Sequence, residues 1–392
     1  MDPDALKARV GQRVDELAET LVEVSHAIHE RPELGYEEHF AHDLLTSVLE
    51  REGVEVERGA YELPTAFAAT VGTEGPTVAV CCEYDALPGL GHACGHNVIA
   101  AAGLGAGLAL ATVAGEAGGR VRLLGTPAEE GGAGKVYMAD AGAFVGVDAA
   151  MMVHPAGADL ATMDVIAASL LAVEYHGQAA HAAAFPHLGR NALDAAVLGY
   201  VNVAALRQHI TSTERIHGVF TRGGDKANIV PDFASMDWMV RAAQAASLAP
   251  LRERVLACLE AGATASGCRM EHRVVSRDYA DMIDNPVLVE LYAANSAALG
   301  RPLASSAGSD TRVVGSTDMG NVSYLVASIH PMIKVAPAGV SIHTAAFAGH
   351  ARSASADRAV VDGAKAMAMT AADLWTRPDA VHQVRAAFAP PA

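Results

Sequence analysis

Residues 79–97, AVCCEYDALPGLGHACGHN, point to one class of fold. The stretch begins as an apolar run and continues into a polar loop that carries Glu83, Asp85, His92, Cys94 and His96. In α/β proteins a buried strand of a parallel sheet is a continuous apolar run, and ligand-binding side chains collect beyond the carboxyl ends of such strands. The stretch therefore predicts a core strand of an α/β protein with a polar site at its carboxyl end.

Two later stretches have the same layout. Glu129 and Glu130 follow the largely apolar run 121–124, and His154 follows the apolar run 149–153. A fourth polar candidate, His343, lies far downstream in VSIHT. Thiol, imidazole and carboxylate groups at strand ends are suited to a water-activating metal site, where one carboxylate coordinates and its neighbour moves protons. A single histidine of this kind is more often a core or loop residue, but the joint pattern favours a metal site.

Composition limits the classes of partner. A chain of 392 residues is expected to form two domains. The formal net charge of -17 argues against nucleic acid or an anionic membrane as the main partner. The five cysteines lack the spacing of a disulfide scaffold, and the charged start of the chain shows no apolar signal segment, so a cytoplasmic location is expected. The apolar stretch 98–114 is rich in Gly and Ala and predicts a core helix rather than a membrane span.

The order of the predicted elements indicates an interrupted α/β domain. Strands at 77–83, 120–127 and 148–155 alternate with helices near 97–115 and 134–143, which is the βαβ order of a mostly parallel sheet with helices on both faces. From about residue 168 the order becomes β-α-β-β-α-β, as in a ferredoxin-like unit, and after about residue 281 the first pattern resumes. We predict a catalytic domain of residues 1–167 and 282–392 and an inserted α+β domain of residues 168–281.

Several ordered motifs carry a family resemblance. They run from HAIHERPELGYEE at 26–38 to SIHTAAF at 341–347, and the most specific are EYDALPGLGHACGHN, PAEEGGAGK, MMVHP, GQAAHAA, KANIVPD and GSTDMGNVSY. The chain resembles the family of di-metal amidohydrolases and peptidases that includes aminoacylases, glutamate carboxypeptidases and indole-acetyl-amino-acid hydrolases. GHACGHN and STDMGNVSY are most similar to the branch with aminobenzoyl-glutamate hydrolase and the aminoacylase-like dipeptidases. The inserted domain then serves as a lid and dimerisation domain.

The resemblance implies a ligand set for two divalent ions. Cys94 bridges the ions, His96 and His154 complete one shell, and Glu130 and His343 complete the other. Glu129 takes the role of general base, and Asp85 orients a histidine ligand. This agrees with the chemistry of the residues, because two neighbouring carboxylates do not easily both coordinate. The thiolate favours zinc, but relatives with this cysteine often use manganese or cobalt, so the metal stays open.

One position departs from the family pattern. Many relatives have Asp after CGH, whereas this chain has Asn97. Its neutral amide is expected to cap the helix that follows, and it adds no charge near the metal ligands. A shift in metal preference is the expected consequence.

The resemblance also implies substrate-binding residues in the inserted domain. His181 donates to the developing oxyanion in the active site of the partner subunit, which requires a homodimer formed through the inserted domain. Asn228 and Arg241 hold a substrate carboxylate, and His187 and Arg190 are the alternatives for this role. A turn histidine with local hydrogen bonds is the alternative interpretation of His181, and a solvated charge at a strand end is that of Arg241.

The predicted function is the hydrolysis of an amide bond in a small molecule. The substrate is an N-acyl amino acid or a dipeptide, with aminobenzoyl-glutamate as one example, and metal-activated water attacks with a Glu base. An inactive homologue that only binds a small molecule or acts as a scaffold is the alternative, which the intact set of candidate residues disfavours. A metallo-phosphoesterase is a poorer match, because the chain lacks the corresponding clusters of Asp ligands and phosphate-binding basic residues.

Overall fold

Two units make up the fold. The computed structural model describes residues 2–304 and 314–389. The first unit comprises residues 1–164 and 282–392, and the second comprises residues 165–281. The second unit is therefore an insertion in the first.

The described helices and strands follow one another in a fixed order along the chain. The helices are α1 (Pro3–Glu30), α2 (His39–Arg51), α3 (His96–Ala111), α4 (Ala114–Ala117), α5 (Glu129–Gly132), α6 (Gly134–Asp140), α7 (Ala192–Leu206), α8 (Ala245–Ser266), α9 (Pro286–Ala298), α10 (Met319–Ser323), α11 (Ala345–His350), α12 (Ala354–Thr376) and α13 (Pro378–Ala387). The strands are β1 (Glu57–Arg58), β2 (Phe67–Val71), β3 (Thr77–Cys82), β4 (Arg120–Gly125), β5 (Ala149–Met151), β6 (His154–Ala156), β7 (Asp164–Val165), β8 (Ala167–His176), β9 (Arg215–Arg222), β10 (Phe233–Ala242), β11 (Arg269–Val274), β12 (Val314–Gly315), β13 (Ser328–Ile329) and β14 (Met332–Lys334).

The main sheet of the first unit runs in the order β1-β2-β4-β3-β5-β13. Strands β4, β3, β5 and β13 are parallel to one another, whereas β2 and β1 add an antiparallel edge beside β4. Parallel neighbours require crossover connections, and α3 supplies the one between β3 and β4. The prediction of a mostly parallel sheet is confirmed.

Helices cover both faces of this sheet. Side chains along β3 alternate between the faces, as in any strand. Val78, Val80 and Cys82 belong to the apolar cluster that includes α1, α3 and α12. Ala79 and Cys81 belong to a second cluster with residues of α6 and α10. The first unit is thus a sheet between two helical layers, as predicted.

Small residues allow α3 to lie very close to the sheet and to the other helices. A Cβ atom at Gly103 would lie 2.5 Å from the sulfur of Cys82, and one at Gly105 would lie 2.6 Å from a methyl of Leu21. The helix is buried from His96 to Leu110. Among the described helices, none is long and apolar enough to cross a bilayer.

Asn97 does not cap α3, so that expectation is wrong. It lies inside the first turn, after Gly95, and its side-chain amide donates to Ser25 Oγ and to the carbonyl of Ala351, both at 2.9 Å. Asn97 therefore ties α3 to α1 and to the end of α11. The reason is tertiary: Gly95 takes the N-cap position, and the buried amide of Asn97 finds its partners on neighbouring elements.

The second unit contains an antiparallel sheet in the order β11-β8-β10-β9. Its elements follow the predicted β-α-β-β-α-β order. Helices α7 and α8 approach closely, since a Cβ atom at Gly262 would lie 2.4 Å from the carbonyl oxygen of Ala195 and 2.5 Å from the nitrogen of Gly199. Strand β9 is left as an edge of the sheet.

Candidate metal centre

Three loops of the first unit converge beyond the carboxyl ends of neighbouring parallel strands. Strands β4, β3 and β5 are adjacent in the sheet, and the loops that follow them carry Glu129, Cys94 and His154 in that order. His343 comes from a distant part of the chain. Its backbone N–H donates to the carbonyl of Ala93 at 2.8 Å, which brings it to the loop of Cys94.

The predicted ligands form two groups of donor atoms. Ligand atoms of Cys94, His96 and His154 lie within 4.8 Å of one another, and so do those of Cys94, Glu130 and His343. In the first group Cys94 Sγ lies 3.4 Å from His154 Nε2. In the second, Glu130 Oε1 lies 3.1 Å from His343 Nε2. Donors bound to one ion at about 2.0–2.3 Å must lie within about 4–5 Å of one another, so this set fits two ions that share the sulfur of Cys94.

Hydrogen bonds orient the two buried imidazoles. Nδ1 of His96 lies 2.9 Å from Asp85 Oδ1, and Nδ1 of His154 lies 2.8 Å from the carbonyl of Pro155. Since these oxygens accept a hydrogen from Nδ1, the lone pair of each ring is left on Nε2, the usual arrangement of a histidine that binds a metal. Nε2 of His96 is buried and has no hydrogen-bond partner among the described residues.

The acid–base properties of these groups favour a cation at the site. Burial, together with His330 and His96, lowers the pKa of His154 to about 3, so its ring is neutral and able to coordinate. Burial raises the pKa of the Cys94 thiol well above its ordinary value. A thiolate at this position therefore needs a positive charge beside it, which bound divalent ions would supply.

Glu129 lies outside both groups that contain Cys94, although its carboxylate also lies within 4.8 Å of donor atoms of His96 and Glu130. Its Oε2 is 3.9 Å from His96 Nε2, and the residue is 7% exposed. Burial raises the pKa of Glu129 well above its ordinary value, and the carboxylates of Glu83 and Glu130 raise it further. The structure thus places a carboxyl group with a high proton affinity next to the predicted ligands.

Two buried carboxylates hold the turn that carries Glu129 and Glu130. Asp85 Oδ2 accepts from the backbone N–H of Glu130 at 2.8 Å, while its other oxygen contacts His96. Glu38 accepts from the backbone N–H of Ala128 at 2.8 Å, where the chain turns with a positive φ of 56°. Asp85 therefore lies where it can orient both a histidine and the turn.

Sequence reasoning missed an ionic cluster beside Glu129. The ammonium of Lys135 donates to Glu83 and, at 2.6 Å, to Asp318 Oδ1, and all three side chains are fully buried. Burial lowers the pKa of Lys135, but Asp318, Glu83 and Glu129 raise it well above its ordinary value, so the group is charged. Lys135 and Asp318 stand in the motifs GGAGK and GSTDMG, where a charged side chain among small residues was a usable signal.

His330 was also missed. It is 1% exposed, and its ring centroid lies 5.3 Å from that of His154. Burial lowers the pKa of His330 to about 4, so the ring is neutral. The tripeptide Ile329-His330-Pro331 resembles Val153-His154-Pro155, which was the sequence signal for it.

The predicted substrate residues lie in the second unit. His181 is exposed, and its Nδ1 accepts from the backbone N–H groups of Ala183 and Ala184 at 3.2 and 3.1 Å. The backbone N–H of Ala182 donates to the carbonyl of Asn228 at 3.1 Å, so these two segments are neighbours. Arg241 is partly buried on β10, with Nε 3.0 Å from the sulfur of Met239.

The alternative substrate residues of this unit are exposed as well. His187 lies in the short turn of helix Pro186–Leu188, and Arg190 accepts through its carbonyl from the backbone N–H of Gln178 at 2.8 Å. Nδ1 of His181 makes local hydrogen bonds, as expected of a turn histidine. The ring is exposed. The interpretation of His181 as a turn residue therefore accounts for Nδ1 and leaves the role of Nε2 open.

Comparison with known proteins identifies the family. Residues 75–373 match the model of peptidase family M20/M25/M40. The chain belongs to this family. Among M20 relatives it is 40% identical over 399 residues to the Xaa-Arg dipeptidase of Mus musculus, covering 98% of this chain and 92% of the relative. It is 35% identical over 272 residues to one subunit of the p-aminobenzoyl-glutamate hydrolase of Escherichia coli, covering 64% of this chain and 56% of the relative.

A solved M20 structure has the same fold. A Bacillus subtilis protein described as a dinuclear metal-binding peptidase of this family superposes with a TM-score of 0.69 at 20% identity, covering 93% of this chain and 99% of the other. At this identity the likeness concerns the fold alone. The family and the branch predicted from the motifs are confirmed, and membership of an M20 peptidase family makes the chain a hydrolase of amide or peptide bonds.

Proposed function

We propose that this M20 protein is a two-metal hydrolase that cleaves the amide bond of a dipeptide or an N-acyl amino acid. The observation that carries the proposal is the pair of donor groups that share Cys94, with Glu129 beside them and outside both. The names of the relatives, an Xaa-Arg dipeptidase and one subunit of a p-aminobenzoyl-glutamate hydrolase, support substrates that end in an amino acid.

Five side chains would hold the metal ions. One ion would take Cys94, His96 and His154, the other Cys94, Glu130 and His343, in keeping with the donor atoms within 4.8 Å of one another. When bound, such ions lower the pKa of a water molecule and polarise the scissile carbonyl. Thiolate, imidazole and carboxylate ligands together suit zinc, manganese or cobalt, and metal analysis of the purified protein would decide among them.

Glu129 is the general base in this proposal. Its buried carboxyl lies 3.9 Å from the metal-facing nitrogen of His96, which puts it within reach of a water at the centre. Glu129 takes the proton of the attacking water and transfers it to the leaving amine. Asp85 has a positioning role, because it contacts Nδ1 of His96 and the backbone of Glu130 at the same time.

The second unit supplies the substrate contacts. The hydrogen bonds that Nδ1 of His181 accepts leave the ring hydrogen on Nε2, so the neutral ring presents a donor for a developing oxyanion. Asn228 and Arg241 bind the substrate carboxylate, which a guanidinium can hold with two hydrogen bonds.

We further propose a homodimer formed through the second unit. Exposed apolar side chains line one side of α7, where Val197, Leu198 and Val201 are 44%, 41% and 56% exposed. Strand β9 is a sheet edge with Val219 and Phe220 exposed. Pairing of two such edges would cover these side chains. Val201→Asp is expected to convert a dimer to a monomer in analytical ultracentrifugation, whereas Val145→Asp, at a 74% exposed site of the first unit, should not.

A substrate panel tests the proposed activity. Metal-loaded protein is incubated with Xaa-Arg and Xaa-Lys dipeptides, aminobenzoyl-glutamate and N-acetyl amino acids, and the products are followed by mass spectrometry. Cleavage of at least one class at the amide bond is expected, with loss of activity after chelation and recovery on adding metal. Two bound ions without cleavage of any of these amides would contradict the proposal.

We also propose that the protein is located in the cytoplasm. Its five cysteines are unpaired in the structure, which suits a reducing compartment.

A further inference from the structure

Three carboxylates and one ammonium form a closed ionic cluster next to the candidate metal centre. Oxygens of Glu83, Glu129 and Asp318 lie within 4.8 Å of one another. The ammonium of Lys135 contacts Glu83 and, at 2.6 Å, Asp318. Because the side chains of Lys135, Glu83 and Asp318 have no exposed surface, their charges must be balanced locally.

The lysine is held by more than one bond. Asp318 accepts from the ammonium with one oxygen and from the backbone N–H of Lys135, at 2.8 Å, with the other. This double contact fixes the start of the lysine side chain and its end. The position of the ammonium in the acidic cluster is therefore fixed at both ends of the side chain.

The carboxylates have the arrangement of a cation site. Three carboxylate oxygens within reach of one point are ligands that hard divalent cations such as Mn²⁺ prefer. The second oxygen of Glu83 is buried without a hydrogen-bond partner among the described residues, and it lies 3.6 Å from Nε2 of His96. The cluster thus has more acceptor capacity than the lysine uses.

We infer that the ammonium of Lys135 occupies the position that a further divalent cation would otherwise take among Glu83, Glu129 and Asp318. The inference rests on the proposed two-metal function and deepens it. A divalent ion at this position would use Glu129 as a ligand and so withdraw it from proton transfer. Lys135 is thereby a positioning residue: it holds Glu83 and Asp318 in place and leaves Glu129 facing His96.

Metal counting tests this inference. The parent and the Lys135→Met variant are incubated with Mn²⁺ alone, passed through a desalting column and analysed by plasma mass spectrometry. The parent should hold two ions per chain and the variant three. In thermal melting without metal the variant should be less stable than the parent, and Mn²⁺ should raise its melting temperature by more than it raises that of the parent. A Zn²⁺ series distinguishes a carboxylate site, which favours Mn²⁺, from general metal uptake.

A matched control removes an ammonium elsewhere. Lys7 of α1 lies 2.6 Å from Asp373, which is 1% exposed, so Lys7→Met also leaves a buried carboxylate without its lysine. This control should hold two ions. The triple variant Lys135→Met, Glu83→Gln, Asp318→Asn removes the acidic charge as well and should also hold two.

Several outcomes would overturn the inference. A folded Lys135→Met variant with two ions would show that no cation position was opened. A Lys135→Met variant that stays unfolded in Mn²⁺ while the triple variant folds would show that a metal ion does not replace the ammonium. Both results leave the proposed function intact, whereas a parent that binds no metal would refute that function and the inference with it.

Discussion

Most candidate functional residues of the first unit are buried, with His343 as an exposed exception, whereas those of the second unit are exposed or partly buried. In the first unit His96, Cys94 and Glu129 are 0%, 6% and 7% exposed. In the second unit His181 and Asn228 are exposed, and Arg241 is partly buried. The buried set is joined by hydrogen bonds between side chains, such as that of His96 to Asp85, whereas His181 is held by the backbone of its own turn.

This difference indicates a division of work. A buried polar group must find partners within the protein, so its position is determined by several elements at once. An exposed polar group keeps hydrogen-bonding capacity that a ligand can use. We therefore expect changes in the first unit to affect metal binding or the chemical step, and changes in the second unit to affect substrate binding or the transition state without loss of metal.

The largest effect is expected from Glu129→Gln. Without the carboxylate, the water proton has no acceptor, and kcat should fall by about a thousandfold or more. Metal content should stay at the parent value if the two ions use the two groups that contain Cys94, whereas a loss of metal would assign an ion to the group of His96, Glu129 and Glu130. The matched variant Glu130→Gln should lose metal as well as activity. Equal metal loss in both variants would show that the two glutamates do not have separate roles.

His181→Ala should have the next largest effect. The loss of one donor to the oxyanion is expected to lower kcat by about a hundredfold, while metal content and melting temperature stay unchanged because the ring is exposed. His187→Ala, at an exposed neighbouring site, serves as the control and should leave kcat close to the parent. A larger loss of kcat in His187→Ala than in His181→Ala would show that His181 does not supply the donor to the oxyanion.

Arg241→Lys should act on substrate affinity. Lysine keeps the charge but loses the two-pronged geometry, so KM should rise by about tenfold with little change in kcat. Arg222→Lys is a suitable comparison, because Arg222 pairs with Asp225 on the surface of the same sheet. A kcat that falls as much as KM rises would place Arg241 in the chemical step. It would contradict the expectation that this residue of the second unit acts on substrate binding alone.

The smallest effect on activity, but a clear one on stability, is expected from Asp284→Asn in the first unit. Burial raises the pKa of Asp284 to about 7. The folded protein therefore binds a proton that the unfolded chain releases near its ordinary pKa of about 4, and the stability this contributes is lost as the pH rises through 7. The variant avoids this loss, so its gain in unfolding free energy over the parent should be about 3 kcal/mol larger at pH 8 than at pH 5. A gain independent of pH, measured by urea unfolding, would mean that Asp284 is ionised throughout.

The strand ends could be predicted because they follow a general rule. In a parallel sheet, apolar runs and the loops after them bring distant residues to one edge, so the runs before Cys94, Glu129 and His154 were enough to place these side chains together. The β-α-β-β-α-β order of the second unit was also legible, because each strand and helix there has its own apolar periodicity.

Other contacts could not be predicted, because the sequence around each residue gives no sign of its distant partner. Lys135 and Asp318 meet across 183 residues of chain, and Glu38 reaches the backbone of Ala128 across 90. Each of these residues is an ordinary charged side chain in its own segment. Asn97 is a case in which the local pattern predicted the wrong contact: a helix cap was expected, but the side chain donates to Ser25 and to the carbonyl of Ala351.

The order of residues alone was sufficient for the family, the class of fold and the identity of the side chains that a metal centre would need. The class of fold follows from residue type, periodicity and element order, which are local properties, and the family and the ligand set follow from the resemblance of the motifs. How Lys135 balances the charge of Glu83 and Asp318 beside these side chains depended on the folded chain. Electrostatic balance in a buried site is a property of all the charges that surround a point, and those charges become neighbours only when distant segments pack together.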